Sequence, residues 1–339
     1  MSGGVDSSVA AALLVEQGHD VVGLTLRLWD NPGEIGCCSV AEIDDARGVA
    51  HLLGIDHLVW TFIDEFDDRV VTPYAEAHAA GLTPNPCIEC NRHLKFGRLL
   101  RRARQLGFDA VATGHHARVE GPGAGGRYRL LRGADPRKDQ SYVLYVLGQA
   151  ELAHCLFPVG VLTKSEVRAR AAALALPTAD KPDSQDVCFV TTAGGREALL
   201  SSRIPLHPGR VVDVDGVEVG RVDAVELVTV GQRRGLGTGG GARRYAVGVD
   251  IATATVTVGG AGDLLSSSVA LGSLSWVDGP VAGEVEVQTS AHGEAVGARF
   301  DGTTVTFDVP QRRVAPGQSV ALYRGDEVLG GGIATRESF

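Results

Sequence analysis

The chain opens on a glycine-rich turn, Met1-Ser2-Gly3-Gly4-Val5-Asp6-Ser7-Ser8, that runs directly into the apolar stretch 9–15. Gly3 and Gly4 let backbone N–H groups approach an anion closely. Ser2, Ser7 and Ser8 add hydroxyl donors, and a following helix aims its positive N-terminal end at the same point. Val9, Leu13 and Leu14 supply the buried stripe of that helix and Gly18 its C-cap. The turn lacks the lysine of a P-loop kinase, so it suits holding a leaving pyrophosphate better than steering γ-phosphoryl transfer. A phosphate loop of this kind normally follows a buried parallel strand. The expectation is therefore that the assigned start falls too late and that a central strand is encoded before Met1; the competing expectation is a sheet without its central member.

At 339 residues the chain has room for two or three domains and a sizeable core. Apolar residues make up 44% and charged residues 22%, the balance of a soluble globular protein. The longest apolar run, residues 9–15, is far short of the ~20 residues needed to span a bilayer. The N-terminus carries no signal peptide, so a cytoplasmic location with no membrane partner is expected. Six cysteines, at 37, 38, 87, 90, 155 and 188, are too dispersed for a disulfide framework and read as reactive or metal-binding thiols. The net charge of −9 argues against indiscriminate nucleic-acid binding. Local patterning differs: Arg92, Lys95, Arg98, Arg101, Arg102 and Arg104 follow one another without an acidic residue, and Arg233–Arg234, Arg243–Arg244 and Arg312–Arg313 form further basic pairs. Taken alone, such clusters describe a solvated helix face and scattered surface arginines.

Up to about residue 190 strand-like segments (21–28, 57–63, 109–113) alternate with helical ones (7–17, 41–53, 65–80, 92–106, 164–176), which predicts a parallel sheet covered by helices on both faces. Beyond 191, glycine turns punctuate short β-branched runs at 210–214, 224–230, 244–250, 253–259, 269–277, 283–289, 303–309 and 319–323, which predicts an all-β half. The expected division is 1–192, 193–262 and 263–339. Residues 235–240 fit GxGxxG, but strands flank them and no helix follows, so they are a loop and not a dinucleotide site.

Four further segments carry chemistry. In Thr83-Pro84-Asn85-Pro86-Cys87-Ile88-Glu89-Cys90-Asn91 two prolines force an extended approach, and Cys90 falls at the start of the basic helix, where the helix terminus and arginines would favour a thiolate. Lys181-Pro182-Asp183-Ser184-Gln185-Asp186-Val187-Cys188-Phe189 is a polar loop ending in a lone cysteine. Ala112-Thr113-Gly114-His115-His116-Ala117-Arg118 lies at the C-terminal end of a strand, where open α/β sheets place ligands. Arg137-Lys138-Asp139-Gln140-Ser141-Tyr142 is polar and opens a short helix. Each has a plainer reading. Cys87 and Cys90, with Cys37 and Cys38, fit a zinc site; Cys155 and Cys188 fit buried hydrophobes; His115 fits a satisfied strand end, and Lys138, Asp139 and Gln140 a helix cap.

In this order SGGVDSS, TPNPCIECN, ATGHHAR, KDQSYVLY, KPDSQDVCF, GQRRGLG and the terminal APGQSVALY resemble the tRNA-specific 2-thiouridylases (MnmA type) of the PP-loop superfamily over essentially the whole chain. The resemblance implies an α/β parallel-sheet PP-loop domain, adenine nucleotide α-hydrolase-like, followed by two small β-rich domains. It implies adenylation of the C2 oxygen of the wobble uridine by ATP with Mg²⁺, and sulfur transfer from a persulfide on Cys188 loaded by a sulfur-relay donor protein. Cys90 is the implied partner nucleophile, resolving the persulfide as a Cys90–Cys188 disulfide, and Asp6 a further catalytic residue. Met1, Ser2, Gly3, Gly4, Val5, Asp6, Ser7, Leu26 and Gly114 are implied ATP contacts. Asn85, Pro86 and Cys87 are implied to meet the target base, swung out of its stack. His115, Lys138, Asp139, Gln140 and Gln318 are implied to meet tRNA, and the protein to act as a monomer. Two departures stand out: the stretch Thr289-Ser290-Ala291-His292 lacks the Arg-Tyr pair of some relatives, and Cys87 replaces a frequent aspartate. With Cys87 in place, Cys87, Cys90 and Cys188 form an alternative [4Fe-4S] ligand set. Two other readings share some features: a PP-loop amidotransferase or synthetase, which needs neither Cys90 nor Cys188, and an RNA-binding protein without catalysis.

Overall fold

Residues 1–29, 40–183, 187–190, 195–239 and 243–336 are described by the structure, a computed structural model. Cys37 and Cys38, invoked for the zinc alternative, and residues 184–186 lie outside them. Helix α1 (Val5–Glu16) forms where the apolar run predicted it, with Val9, Ala10, Ala11, Ala12 and Leu14 buried. It ends as Gly18 turns into the left-handed region at φ 83°, and the His19 N–H closes onto the Leu14 carbonyl.

Strand β1 (Val22–Arg27) pairs in parallel with β2 (Asp56–Thr61), from Val22 opposite Asp56 to Arg27 opposite Thr61, with α2 (Val40–Leu53) as the crossover. Helix α3 covers residues 63–79 and α4 residues 86–105; both widen into π-helical sections, Asp67–Val71 and Cys90–Leu99. Strand β3 (Val111–Ala112) leads into the hairpin β4 (Ala117–Glu120) and β5 (Arg129–Arg132). A second parallel pair joins β3 to β6 (Cys155–Leu156), and α5 (Lys164–Ala173) packs beside α1. Among the described residues no pairing joins β1–β2 to β3–β6.

The β half holds two sheets. The first has the order β8–β7–β10–β9, from β7 (Gly209–Asp213), β8 (Glu218–Val222), β9 (Tyr245–Asp250) and β10 (Thr255–Gly259). The second closes into a six-stranded barrel of β11 (Leu265–Trp276), β12 (Gly283–Gln288), β13 (Val296–Phe300), β14 (Thr304–Arg312), β15 (Ser319–Arg324) and β16 (Glu327–Ala334), with β11 meeting both β14 and β16. The predicted strand at 224–230 is instead a short 3₁₀ turn, Val225–Leu227. Its β-branched side chains go into the core of the small sheet. Strand β16, by contrast, escaped prediction because Gly330, Gly331 and Gly332 weaken its pattern. They are there for close approach: a Cβ at Gly331 would meet the Val320 carbonyl at 2.3 Å and the Tyr145 ring at 2.8 Å.

The barrel is not a separate body. The hairpin β4–β5 extends its sheet through β5, with Leu131 opposite Glu327 and Leu130 opposite Val328. Leu130, Tyr142, Leu144, Tyr145 and Phe157 share one buried cluster with Val277, Ala321, Tyr323 and Val328. Early and late parts of the chain therefore lose their apolar surface to the same interior, a burial worth roughly 1.5–3 kcal/mol per large side chain. No helix among the described residues is long and apolar enough to cross a membrane.

Candidate functional site

The phosphate turn is built as its residues dictate. Gly3 has φ 71°, and a Cβ there would lie 2.6 Å from the Glu42 carbonyl, so only glycine fits between the turn and α2. The Ser7 and Ser8 hydroxyls donate to the Gly4 carbonyl at 3.1 and 2.9 Å, and the Ser7 hydroxyl accepts from the Ser2 N–H at 3.1 Å. Met1 lies against β1: its amino nitrogen donates to the Leu24 carbonyl, and its own carbonyl accepts the Thr25 hydroxyl at 2.7 Å. Gly114, at the end of the β3 segment, approaches so closely that a Cβ would meet the Ser7 nitrogen at 2.6 Å. The structure thus brings Met1 to Ser7 and Gly114 together at the edge of β1, the strand that holds Leu26.

The lysine absent from the turn arrives from elsewhere. Lys164 Nζ sits 2.7 and 2.8 Å from the two Asp6 carboxylate oxygens and 2.9 Å from Asp183 Oδ1. His116 Nε2 lies 3.1 Å from the same Asp6 carboxylate. Burial raises the Asp6 pKa, but the hydrogen bonds to His116 and Lys164 outweigh it and hold the carboxyl below its usual value. Asp183 also receives Lys138 at 2.7 Å and Arg168 at 2.8 Å; against the opposing effect of burial, its lysine partners bring its pKa down to about 2. Lys181 donates to the Gly3 carbonyl at 3.0 Å and pairs with Asp45. The segment leading to Cys188 is therefore fastened to the phosphate turn at two points.

Cys90 is one turn inside α4, whose N-cap is Asn85, accepting the Cys87 N–H at 3.1 Å. The sequence placed that helix's start at the basic run, but Pro86 begins it, because a proline at the first helical position needs no N–H partner. The residue at the helix N-terminus is therefore Cys87, which is exposed, while Cys90 is buried in an apolar cluster with Phe66, Tyr74 and Leu94. Phe189 belongs to that cluster, edge-on to Phe66 at 5.5 Å and to Tyr74 at 5.6 Å. The exposed Cys188 is thus anchored by its neighbour to the side chains around Cys90. The three-thiol ligand set is not assembled: no group of three or more His, Cys, Asp or Glu side chains suited to a metal occurs among the described residues.

The residues assigned to tRNA divide. Asp139 is turned inward, accepting from Arg132 at 3.0 Å, the Gly133 N–H at 2.9 Å and both donors of Ser141. Gln140 accepts the His116 N–H at 2.9 Å, and Lys138 faces Asp183. His115 is buried between Phe96 and Phe157 with its Nδ1 2.7 Å from the Thr113 hydroxyl; burial, then the Lys95 charge, keeps its ring neutral. Gln318 lies in the barrel loop whose Pro316 carbonyl accepts the Thr83 N–H at 2.7 Å, next to the Asn85 turn. The basic helix is less free than its sequence predicts: Arg92 donates to Ser275 of the barrel, Arg98 pairs with Glu65, and Arg102 stacks 4.5 Å over Trp60.

The other basic pairs converge. Gly231 and Gln232 exchange backbone bonds with Ala246, joining the segments that carry Arg233–Arg234 and Arg243–Arg244. Arg313 donates to the Val247 carbonyl at 3.3 Å, bringing Arg312–Arg313 to the same seam. Residues 227–249 and 309–325 contain no acidic side chain. The Gly235–Gly237 loop lies flat on β8, where a Cβ at Gly237 would meet the Arg221 carbonyl at 1.8 Å, in keeping with its reading as a loop.

Sequence reasoning missed Lys164 and Arg168. The Thr163-x-x-Glu166 capping box marks where their helix starts, but nothing local says what its first turn faces.

Residues 1–192 match the family model described as tRNA methyl transferase HUP domain, 197–260 the tRNA methyl transferase PRC-barrel domain, and 266–334 the aminomethyltransferase beta-barrel domain. The chain is 49% identical over 349 residues to the tRNA-specific 2-thiouridylase MnmA of Chloroflexus aurantiacus, covering 99% of this chain and 97% of that one. It is 45% identical to the MnmA of Roseiflexus castenholzii and 46% identical to that of Mycolicibacterium smegmatis, each over 99% of this chain and 98% of the relative.

Proposed function

The chain belongs to the MnmA family of tRNA-specific 2-thiouridylases, tRNA sulfurtransferases, and we propose that it uses ATP to replace the C2 oxygen of the wobble uridine with sulfur. The observation that carries the reading is the fastening of the Cys188 segment to the phosphate turn through Asp183, Lys164 and Lys181. Adenylation and sulfur transfer have to happen on the same base, and this arrangement supports a common site for both.

In the proposed cycle, ATP enters with its Mg²⁺ and the turn from Met1 to Ser7 holds its phosphates, close beside Gly114. The uracil C2 oxygen attacks the α-phosphorus and pyrophosphate leaves, converting a poor leaving group into AMP. A sulfur-relay donor protein charges Cys188 as a persulfide, and the terminal sulfur attacks C2 to expel AMP. The Cys90 thiolate then attacks the Cys188 sulfur, the S–S bond to the base sulfur breaks, and the thiocarbonyl remains on the base. An external thiol reductant returns the Cys90–Cys188 disulfide to two thiols. Asn85, Pro86 and Cys87 form the turn that receives the base, with Gln318 beside it. The arginine seam and Lys95, Arg101 and Arg104 contact phosphates of the tRNA. Asp139 acts on tRNA through the shape of its loop, since its carboxylate is committed inward.

The test is thiolation by purified protein with unmodified tRNA, ATP and a persulfide donor, followed by mass spectrometry of the digested tRNA. Appearance of 2-thiouridine with equimolar AMP supports the reading. Its absence, with ATP and tRNA both bound, would exclude it.

A further inference from the structure

Resting on the nucleotide reading above, we propose that Lys164 is a positioning residue that holds the phosphate turn and the Cys188 segment in one register. Its ammonium supplies the cation that the turn lacks, and through Asp183 it sets where Cys188 stands.

The lysine is placed rigidly. Thr163 and Glu166 form a reciprocal cap at the start of α5, and the Lys164 N–H donates to Asp135 at 3.0 Å. The side chain is 12% exposed, and a lysine so enclosed requires matched charge. It has two carboxylates from segments far apart in sequence: Asp6 in the phosphate turn and Asp183 before Cys188. Cys188 is five positions beyond Asp183, a span of at most about 18 Å, and Phe189 just beyond is locked in the cluster around Cys90.

A polyphosphate entering the turn adds negative charge beside Asp6. Lys164 is the cation paired with Asp6, and it answers that charge by leaning toward the phosphate. Its hold on Asp183 then weakens, while Lys138 and Arg168 keep theirs. Filling of the nucleotide site is thereby transmitted to the cysteine segment as an exchange of Asp183's partners.

The experiment uses the full chain, α,β-methylene ATP as a probe that cannot release pyrophosphate, and two readouts: probe affinity by calorimetry and the alkylation rate of Cys188 by iodoacetamide, read by peptide mass spectrometry. In the wild type, saturating probe changes Cys188 alkylation several-fold. Lys164→Met weakens the probe by about 10- to 100-fold, the value of a lost charge-assisted contact, and at saturation Cys188 no longer responds. Lys164→Arg keeps the response. Asp183→Asn does not weaken the probe but loses the response, which separates signalling from binding and from general damage. Unchanged affinity in Lys164→Met, or a retained response in Asp183→Asn, overturns the proposal. A wild type that fails to bind the probe overturns the nucleotide reading itself.

Discussion

The Thr83 N–H donates to the Pro316 carbonyl at 2.7 Å, so the turn that presents Asn85, Pro86 and Cys87 is braced by the C-terminal barrel. Gly317 makes the brace possible: its φ is 88°, and a Cβ would meet Leu82 Cβ at 2.8 Å and the Thr83 nitrogen at 2.9 Å. The barrel therefore shapes directly the turn proposed to receive the base.

Gly317→Ala should push that turn away. The expected result is a fall of roughly tenfold or more in kcat/KM for tRNA, with the KM for ATP unchanged, because small displacements of a reacting group are costly in rate. Steady-state kinetics with each substrate varied separately checks it.

Gly114→Ala should act on the other substrate. The added methyl would press on the Ser7 nitrogen and the Asp6 carbonyl carbon, at 2.6 and 2.7 Å, and displace the phosphate turn. ATP affinity should drop by about tenfold or more while tRNA affinity stays, and calorimetric titration with a nucleotide analogue measures both sides of that expectation.

Cys90→Ser and Cys188→Ser should each abolish 2-thiouridine formation and leave tRNA binding intact. Cys155→Ala should retain activity, because Cys155 is 2% exposed and burial pushes its thiol far up, out of the range of a useful nucleophile. Normal turnover by either serine variant would remove that cysteine from the cycle.

Arg244→Ala and Arg312→Ala should weaken tRNA binding with little change in kcat. Each should also lower the slope of log affinity against log salt by roughly 1 if it neutralises one phosphate. A slope equal to that of the wild type would make the seam an ordinary solvated surface.

His78 sets an acid limit on the fold. It is 2% exposed, packs edge-on to Tyr74 at 4.7 Å, and burial, reinforced by Arg196, lowers its pKa to about 4. The unfolded chain takes up a proton near pH 6.5, which the folded chain refuses until about 4. Stability is therefore whole above pH 6.5 and falls as pH drops through that window, by on the order of 3 kcal/mol at most. Denaturant titrations of His78→Gln between pH 7 and 4 should show a flatter acid limb than the wild type.

The readable parts of the site were those whose physics is local. The Gly3–Gly4 turn and α1 follow from backbone freedom and a local apolar run, whereas the helix start at Asn85-Pro86, equally local in its capping and ring geometry, was placed too late at the basic run. Misreadings came where tertiary contact overrides local pattern. Val225–Leu227 looked like strand and is a turn, whereas β16 went unread because Gly330–Gly332 sit in its middle. The arginines of α4 other than Arg92 do lie exposed, as a solvated face would, but tertiary contact also ties Arg92, Arg98 and Arg102 to Ser275, Glu65 and Trp60.

The amino-acid order by itself determined the class of fold, the presence of a phosphate turn without its own lysine, and which cysteines stand in polar loops. Those features depend on neighbours within a few residues, whose steric and hydrogen-bonding preferences survive in any context. Only the tertiary structure decided that Lys164 pairs with Asp6, 158 residues away, and that one buried cluster joins the β4–β5 hairpin to the barrel. Pairings of that kind arise from burial of charge and apolar surface in a shared interior, and a linear pattern carries no record of which distant segments will meet there.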